Sequence, residues 1–169
     1  MSALADALRA HGGTLAQTLV DEPAASAAGP AQIAARGPRA AGSKSEYELL
    51  VEMILEGSRL HYGSPCTVRT DDPDLALLLG DQLYALGLVR LAALGDLDAV
   101  AELADVISLV SQAHAAGDEP LAEAVWQAGA IAVGWGPSDA HDAAKRLARA
   151  AHAGATEALL AAAAAPPRS

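Results

Sequence analysis

The sequence has no phenylalanine and only one cysteine, and aromatic residues make up 3 % of the chain. A single cysteine, Cys66, excludes an intrachain disulfide and a zinc site built on several cysteines. β-Branched residues are also sparse, so alanine and leucine supply most of the apolar share of 52 %. Both of these residues favour helix. We therefore expect an all-α protein without a sheet.

Positive charge is scarce as well. Lysine and arginine together number 11, against 21 aspartate and glutamate residues, and the formal net charge is −10 at pH 7. This charge repels phosphate backbones and anionic membrane surfaces, and no local cluster of basic residues offsets it. We expect no nucleic-acid partner.

Long apolar runs and targeting signals are the third absence. Residues 1–13 contain no basic region followed by an apolar core, as a signal peptide would. We also find no stretch that we would assign as a membrane span, which needs about 20 apolar residues. With the single cysteine, these features favour a soluble protein of the cytoplasm.

The composition changes at about residue 43. Residues 21–42 are rich in alanine, glycine and proline, and we expect them to bury too little surface to offset their ordering entropy. We therefore predict a flexible tail over residues 1–43, with short helices possible near its start, and a helical domain over residues 44–165. The leucines that are spaced for those short helices are Leu4, Leu8, Leu15 and Leu19.

After residue 43, apolar residues recur at helical spacing between start and stop signals. Ser43 and Glu46 form a predicted capping box for a first helix, which ends near Gly63. Asp72 and Pro73 begin a second helix that is apolar nearly all round, so we expect it to be the buried central helix. Further segments bring the total to five or six helices, and their short connections predict an antiparallel bundle.

Two of these segments carry a recognisable pattern. "EMILEGSRLHYG" spans residues 52–63, and "LALLLGDQLYALGL" spans residues 75–88. They resemble the polyprenyl diphosphate synthase family, the trans-prenyltransferases, whose helices carry E-L-I-H-x-x-(S/T)-L-(I/L)-H-D-D and A-x-L-A-G-D-x-L. The resemblance extends weakly over residues 44–155 and implies a shortened isoprenoid-synthase-like bundle. The matching positions to which we assign structural roles are Glu52, Ser58, His61, Gly80 and Asp81.

The resemblance also shows what this chain has lost. The family binds Mg²⁺ through two aspartate-rich motifs, but Tyr62 and Gly63 stand at the first motif, and neither side chain binds a hard cation. The region of the second motif, residues 145–160, contains one acidic residue, Glu157. We therefore predict no catalytic residue, no metal ligand and no cofactor in this chain, and Mg²⁺ only in a catalytic partner.

By resemblance, the chain is expected to be a non-catalytic subunit, regulatory or structural, of a heteromeric polyprenyl diphosphate synthase. Such a small subunit pairs with a catalytic subunit and shapes its product tunnel in isoprenoid or quinone side-chain biosynthesis. We expect no catalysis by the chain alone, and self-association is left open. The candidate contacts with the tunnel or the partner are Leu78, Tyr84, Leu88, Trp126 and Trp135.

Two alternatives remain at this point. The first is a helical protein-interaction module unrelated to prenyl chemistry, in which the glycine-aspartate pair arose by chance. The second is an active prenyltransferase, which would need the metal-binding carboxylates that the sequence lacks. Binding to a polyprenyl synthase would distinguish the small subunit from the unrelated module.

Overall fold

The computed structural model describes residues 2–21, 29–63 and 65–167. Within these ranges 77 % of the residues are helical and no strand occurs, so the all-α prediction is confirmed. A short 3-10 turn over Pro38–Ala40 joins the third and fourth helices. The α-helices are α1 Ala3–His11, α2 Gly13–Gln17, α3 Pro30–Arg36, α4 Lys44–Tyr62, α5 Pro73–Ala93, α6 Leu97–Ala115, α7 Glu119–Trp135, α8 Asp139–Arg149 and α9 Ala155–Ala164.

The predicted total of five to six helices is wrong, because the described parts of the chain contain nine. The six helices expected after residue 43 are present as α4 to α9. The excess consists of α1, α2 and α3, which all lie in residues 1–43. The prediction for the whole chain was too low because it left α1 and α2 as possible short helices and assigned α3 to the flexible tail.

The described parts of residues 1–43 pack against the rest of the protein. Leu8 and Leu15 are fully buried, and α3 lies against α4 and α7. At the α3–α7 contact, a Cβ atom on Gly134 would lie 2.6 Å from the carbonyl oxygen of Ala34. Small residues therefore bury surface here by close backbone approach, which the entropy argument for residues 21–42 overlooked. Residues 22–28 lie outside the described residues, and flexibility of the tail stays a prediction.

The most buried of the described helices is α7, with eleven of its 17 residues buried, and the expectation that α5 would be the buried central helix is wrong. Helix α4 buries ten of its residues and contacts α1, α3 and α5. Helix α5 covers one side of α4 and buries only the stripe Leu79, Gly80, Leu83, Gly87 and Leu91. A helix that is apolar all round needs covering on every side, and the described chain covers α5 on one.

The 21 residues of α5 are also long and apolar enough to cross a membrane, contrary to the expectation that no stretch qualifies. This conclusion rests on length and composition alone. A core helix of a soluble protein passes the same test, so the finding is weak evidence for a span.

Buried Glu56 holds the loop between α4 and α5 in place. Its carboxylate, which has no exposed surface, accepts hydrogen bonds from the amides of Cys66 at 2.9 Å, Thr67 at 2.6 Å and Val68 at 3.0 Å. One side chain of α4 therefore satisfies all three amides, and it fixes the position of the loop that leads into α5.

A second buried charge network joins α6 to α8. The carboxylate of Glu102 lies 2.6 Å from Lys145 Nζ and 2.7 Å from His141 Nε2. Lys145 also lies 2.9 Å from Asp105, which pairs with Arg149 at 2.7 Å. Burial acts to lower the pKa of Lys145, but its hydrogen bonds to the two carboxylates hold that pKa above its ordinary value. These opposite charges satisfy one another, so we assign the network a structural role.

Candidate functional site

Four of the five family-matching residues meet where α4 crosses α5. His61 Nε2 lies 3.1 Å from Asp81 Oδ1, and a Cβ atom on Gly80 would lie 2.6 Å from His61 Cδ2. Tyr84 stacks on the His61 ring with 5.3 Å between ring centroids, and its hydroxyl forms a hydrogen bond with Ser58. The glycine therefore has a packing reason, since it admits the histidine ring. Asp81 lies beside that ring, but the buried His61 Nε2 makes no hydrogen bond.

Burial around the crossing shifts the ionisation of its tyrosine. It raises the pKa of Tyr84 to about 12, although the hydrogen bond with Ser58 acts in the opposite direction. At neutral pH the hydroxyl is therefore protonated and serves as a hydrogen-bonding group.

The fifth family-matching residue, Glu52, is also on α4 and pairs with Arg59. Its carboxylate is 2.8 Å from Arg59 Nη1, and Glu56 lies 3.3 Å from the same nitrogen. Burial acts to lower the pKa of Arg59, but these carboxylates hold it above its ordinary value. The charge of this arginine is thus balanced within α4.

Tyr62 is the residue that the sequence resemblance matches to the first metal-binding aspartate of the family. It is 40 % exposed and stacks on His114 of α6, with 4.5 Å between ring centroids and 11° between the ring planes. Within residues 2–21, 29–63 and 65–167, no group of three or more histidine, cysteine, aspartate or glutamate side chains is arranged to hold a metal ion.

A cavity of about 580 Å³, partly open to solvent, lies beside Tyr62 between α3, α4, α6 and α7. Its floor is apolar and includes Leu55, Ala122 and the indole of Trp126. Its polar lining is formed by Arg59, His114, Glu119, Glu123 and Gln127. The cavity therefore combines an apolar floor with a charged rim, which is typical of small-molecule sites.

Most of the exposed large apolar side chains lie on α5, in the turn after it and at the start of α6. Among the described residues, seven large apolar side chains are exposed, and five of them lie between residues 77 and 97. These five are Leu77, Leu78, Val89, Leu94 and Leu97. Monomeric proteins rarely leave such side chains grouped together unless the surface binds something.

On the side of α5 that faces away from α4, exposed residues recur at alternating steps of four and three. We call them the outer stripe: Leu78, Gln82, Ala85, Val89 and Ala92. This spacing keeps residues on one side of a helix facing a second helix. This spacing is present in the sequence, but it is hard to recognise because α5 is apolar on all sides.

The predicted tunnel or partner contacts do not form one wall in the structure. Leu78 lies on the outer stripe and is 66 % exposed, whereas Tyr84 and Leu88 are half-buried on α5. Trp126 lines the cavity, and Trp135 lies half-buried at the end of α7. Sequence reasoning missed the acidic rim of the cavity, although Glu119 and Glu123 are spaced one helical turn apart.

Comparison with known proteins finds no matching family model, no similar curated protein and no similar solved structure. The resemblance to polyprenyl diphosphate synthases therefore rests on the residues quoted from the sequence. Any function must be argued from the surfaces described above.

Proposed function

We propose that this protein is a non-catalytic subunit that binds a catalytic polyprenyl diphosphate synthase through the outer stripe of α5. The observation that carries the proposal is the exposed apolar surface, with Leu78 66 % and Val89 67 % exposed. Burying a leucine or valine side chain contributes about 1.5–3 kcal/mol. A partner that covers this stripe would therefore gain substantial stabilisation.

The stripe fits a helix better than a loop or a flat surface. Its residues recur at the spacing of a helix seam, and Ala85 and Ala92 are small enough for a second backbone to approach closely. From residue 78 to residue 92 the stripe is about 21 Å long at 1.5 Å per residue. The partner surface is accordingly one helix of at least four turns with apolar side chains along one side.

The resemblance supplies the identity of that partner. Family members associate through helices beside the product tunnel, and the matching helix in this chain carries the outer stripe. Tyr62 and Gly63 at the first aspartate motif support a non-catalytic role, in which Mg²⁺ is bound by the partner alone. The nine helices are then a shortened isoprenoid-synthase-like bundle, and the pair acts in the cytoplasm on isoprenoid or quinone side chains.

Reconstitution with a polyprenyl synthase from the same cell tests the binding. We expect co-expression to yield a one-to-one complex by size-exclusion chromatography with light scattering. The double variant Leu78→Asp, Val89→Asp should abolish it, because each carboxylate would be buried in the seam. Leu160→Asp is the matched control, since Leu160 is also exposed, at 41 %, but lies on α9.

Three outcomes would count against this partner. The first is a complex that persists in the double variant. The second is a wild-type chain that pairs only with itself through the stripe, and the third is binding to neutral lipid vesicles instead of a synthase. The net charge of −10 already disfavours anionic membranes.

The proposal also concerns catalysis. The purified chain should not condense isopentenyl diphosphate with an allylic diphosphate, with or without Mg²⁺, because it lacks the aspartate motifs. Turnover above a protein-free blank that a chelator abolishes would show the chain to be an enzyme.

Shaping of the product tunnel can be tested at Tyr84 in the reconstituted pair. Tyr84→Ala removes a bulky ring one turn after Gly80, and we expect condensation to continue with products longer by at least one isoprene unit. Circular dichroism should accompany this test, because Tyr84 also stacks on His61. An unchanged product distribution with an intact fold would place Tyr84 outside the tunnel.

The second candidate function is a helical interaction module with no link to prenyl chemistry. The same outer stripe favours it, since a helix seam can bind any protein with a suitable helix. It becomes the better interpretation if the stripe variants disrupt a complex with a protein that is not a prenyl synthase.

A further inference from the structure

The rim of the cavity beside Tyr62 carries negative charge that no neighbouring side chain neutralises. Glu119 and Glu123 lie one turn apart on α7, and both are exposed at the rim. Among the described residues neither carboxylate lies within ion-pair distance of a basic side chain. The negative electrostatic potential of these two carboxylates at the opening of the cavity therefore favours a cation there.

The one lysine or arginine side chain among the described lining residues does not reverse this charge. Arg59 is already held by Glu52 at 2.8 Å and Glu56 at 3.3 Å. The lining thus contains two carboxylates without an ion-pair partner, Glu119 and Glu123, and one guanidinium whose charge is already balanced. A diphosphate or another anion would enter a negative field without a free cation to receive it.

The other groups at the cavity suit a cation with an apolar stem. Tyr62 and His114 form a stacked pair at the opening, and aromatic faces attract ammonium and guanidinium groups. Trp126, with 8 % of its surface exposed, and buried Leu55 form the apolar floor. The volume of about 580 Å³ lies within the range of small-ligand pockets.

We propose that this cavity binds an organic cation, an ammonium or guanidinium group on an apolar stem. The charged head lies between Glu119 and Glu123, and the stem lies over the indole of Trp126. A free amine and a basic side chain of another protein share this chemistry. The site is separate from the outer stripe, so it does not depend on the proposed synthase partner.

Tryptophan fluorescence of the full chain tests the site. The variant Trp135→Phe leaves Trp126 as the only tryptophan and serves as the background for all titrations. We expect phenethylammonium to change the fluorescence saturably, with weaker binding at high salt. The uncharged control is phenethyl alcohol and the anionic control is phenylpropionate, and both should bind at least tenfold more weakly.

Charge removal at the rim gives the second measurement. The double variant Glu119→Gln, Glu123→Gln should weaken phenethylammonium binding about tenfold, because it removes both negative charges of the rim. Glu157→Gln, an exposed change on α9, is the matched control and should leave the affinity unchanged. The changes are at exposed positions, so circular dichroism should show the same fold.

The source of the cation is distinguished by competition. Displacement of phenethylammonium by a short peptide of alternating arginine and leucine would support a basic side chain as the ligand, and saturable amine binding without displacement would support a free amine. The proposal is overturned if phenylpropionate binds as well as the amine, if the double glutamine variant retains full affinity, or if no probe binds saturably at millimolar concentration.

Discussion

The two sides of α5 have similar apolar composition but opposite surroundings. On the side facing α4, a Cβ atom on Gly87 would lie 2.6 Å from Ile54 Cγ1, and Leu83 is fully buried. On the other side, Leu78 and Val89 are each about two-thirds exposed, at 66 % and 67 %. Overall apolarity therefore shows that a helix needs covering, but not which side the chain itself covers.

Small residues distinguish the two sides. Glycines 80 and 87 both face α4, where a side chain would collide with His61 or Ile54. The small residues of the outer stripe are alanines, which leave room for another helix without weakening the helix itself. The covered side thus makes a fixed contact within the chain, whereas the outer stripe leaves room for another helix.

The largest expected effect comes from removing the carboxylate of Glu56, which fixes the loop between α4 and α5. Glu56→Ala leaves three amides of residues 66–68, two of them buried, without their acceptor, and we expect the free energy of unfolding to fall by about 3–5 kcal/mol. Urea denaturation followed by circular dichroism measures this change. Glu48→Ala, an exposed change on the same helix, should cost no more than about 1 kcal/mol. Equal losses in the two variants would show that Glu56 has no special role.

A matched pair of leucine substitutions compares the two sides directly. Gly80→Leu should lower the free energy of unfolding by about 1–3 kcal/mol, because the new side chain collides with His61 and the carbonyl oxygen of Gly57. Ala85→Leu, on the outer stripe, should change it by no more than about 0.5 kcal/mol. The difference between the two urea midpoints is the measurement. Similar midpoints would mean that α5 is covered equally on both sides.

The covered side also predicts a dependence on high pH. Tyr84 has a pKa of about 12 when folded, against an ordinary value near 10, so its contribution to stability is complete below pH 10. That contribution is lost as the pH rises from about 10 to 12, and the Tyr84→Phe variant should no longer show this loss. Tyr47 has a similarly raised pKa of about 12, through burial and its hydrogen bond to Asp96, and its loss of stability should remain in the variant. Thermal unfolding measured across this range tests both expectations.

The smallest effect is expected on the uncovered side of the isolated chain. Leu78→Asp and Val89→Asp should each change the free energy of unfolding by no more than about 0.5 kcal/mol, since these side chains lose little burial. A large loss of stability in the monomer would show that the outer stripe is covered within the protein.

Local signals predicted much of the fold. Aspartate and serine are typical residues at helix starts, and Asp96, Asp118 and Ser138 each accept a hydrogen bond from an amide of the first turn of α6, α7 or α8. Helix α4 begins after Ser43 as predicted, but the side chain of Ser43 makes no capping hydrogen bond. A helix start depends on residues within one turn of it, so it can be predicted from the sequence even where, as at Ser43, the capping hydrogen bond is absent.

Contacts between distant residues were not predictable in this way. Glu56 satisfies amides 10 to 12 residues further along, and Glu102 pairs with Lys145 across 43 residues. Neither carboxylate stands out in the sequence, because a glutamate on a helix is usually exposed. The same applies to the cavity, whose lining comes from four helices that only the fold brings together.

The loop held by Glu56 can also be described as an anion site that the protein fills itself. Consecutive amides that converge on one point form a concave nest, an arrangement that binds phosphate or carboxylate ions in many proteins. Here the amides of residues 66–68 receive a carboxylate from α4, so an external anion finds the nest occupied. In Glu56→Ala the nest would be empty, and acetate should then restore part of the lost stability while leaving the wild-type protein unaffected.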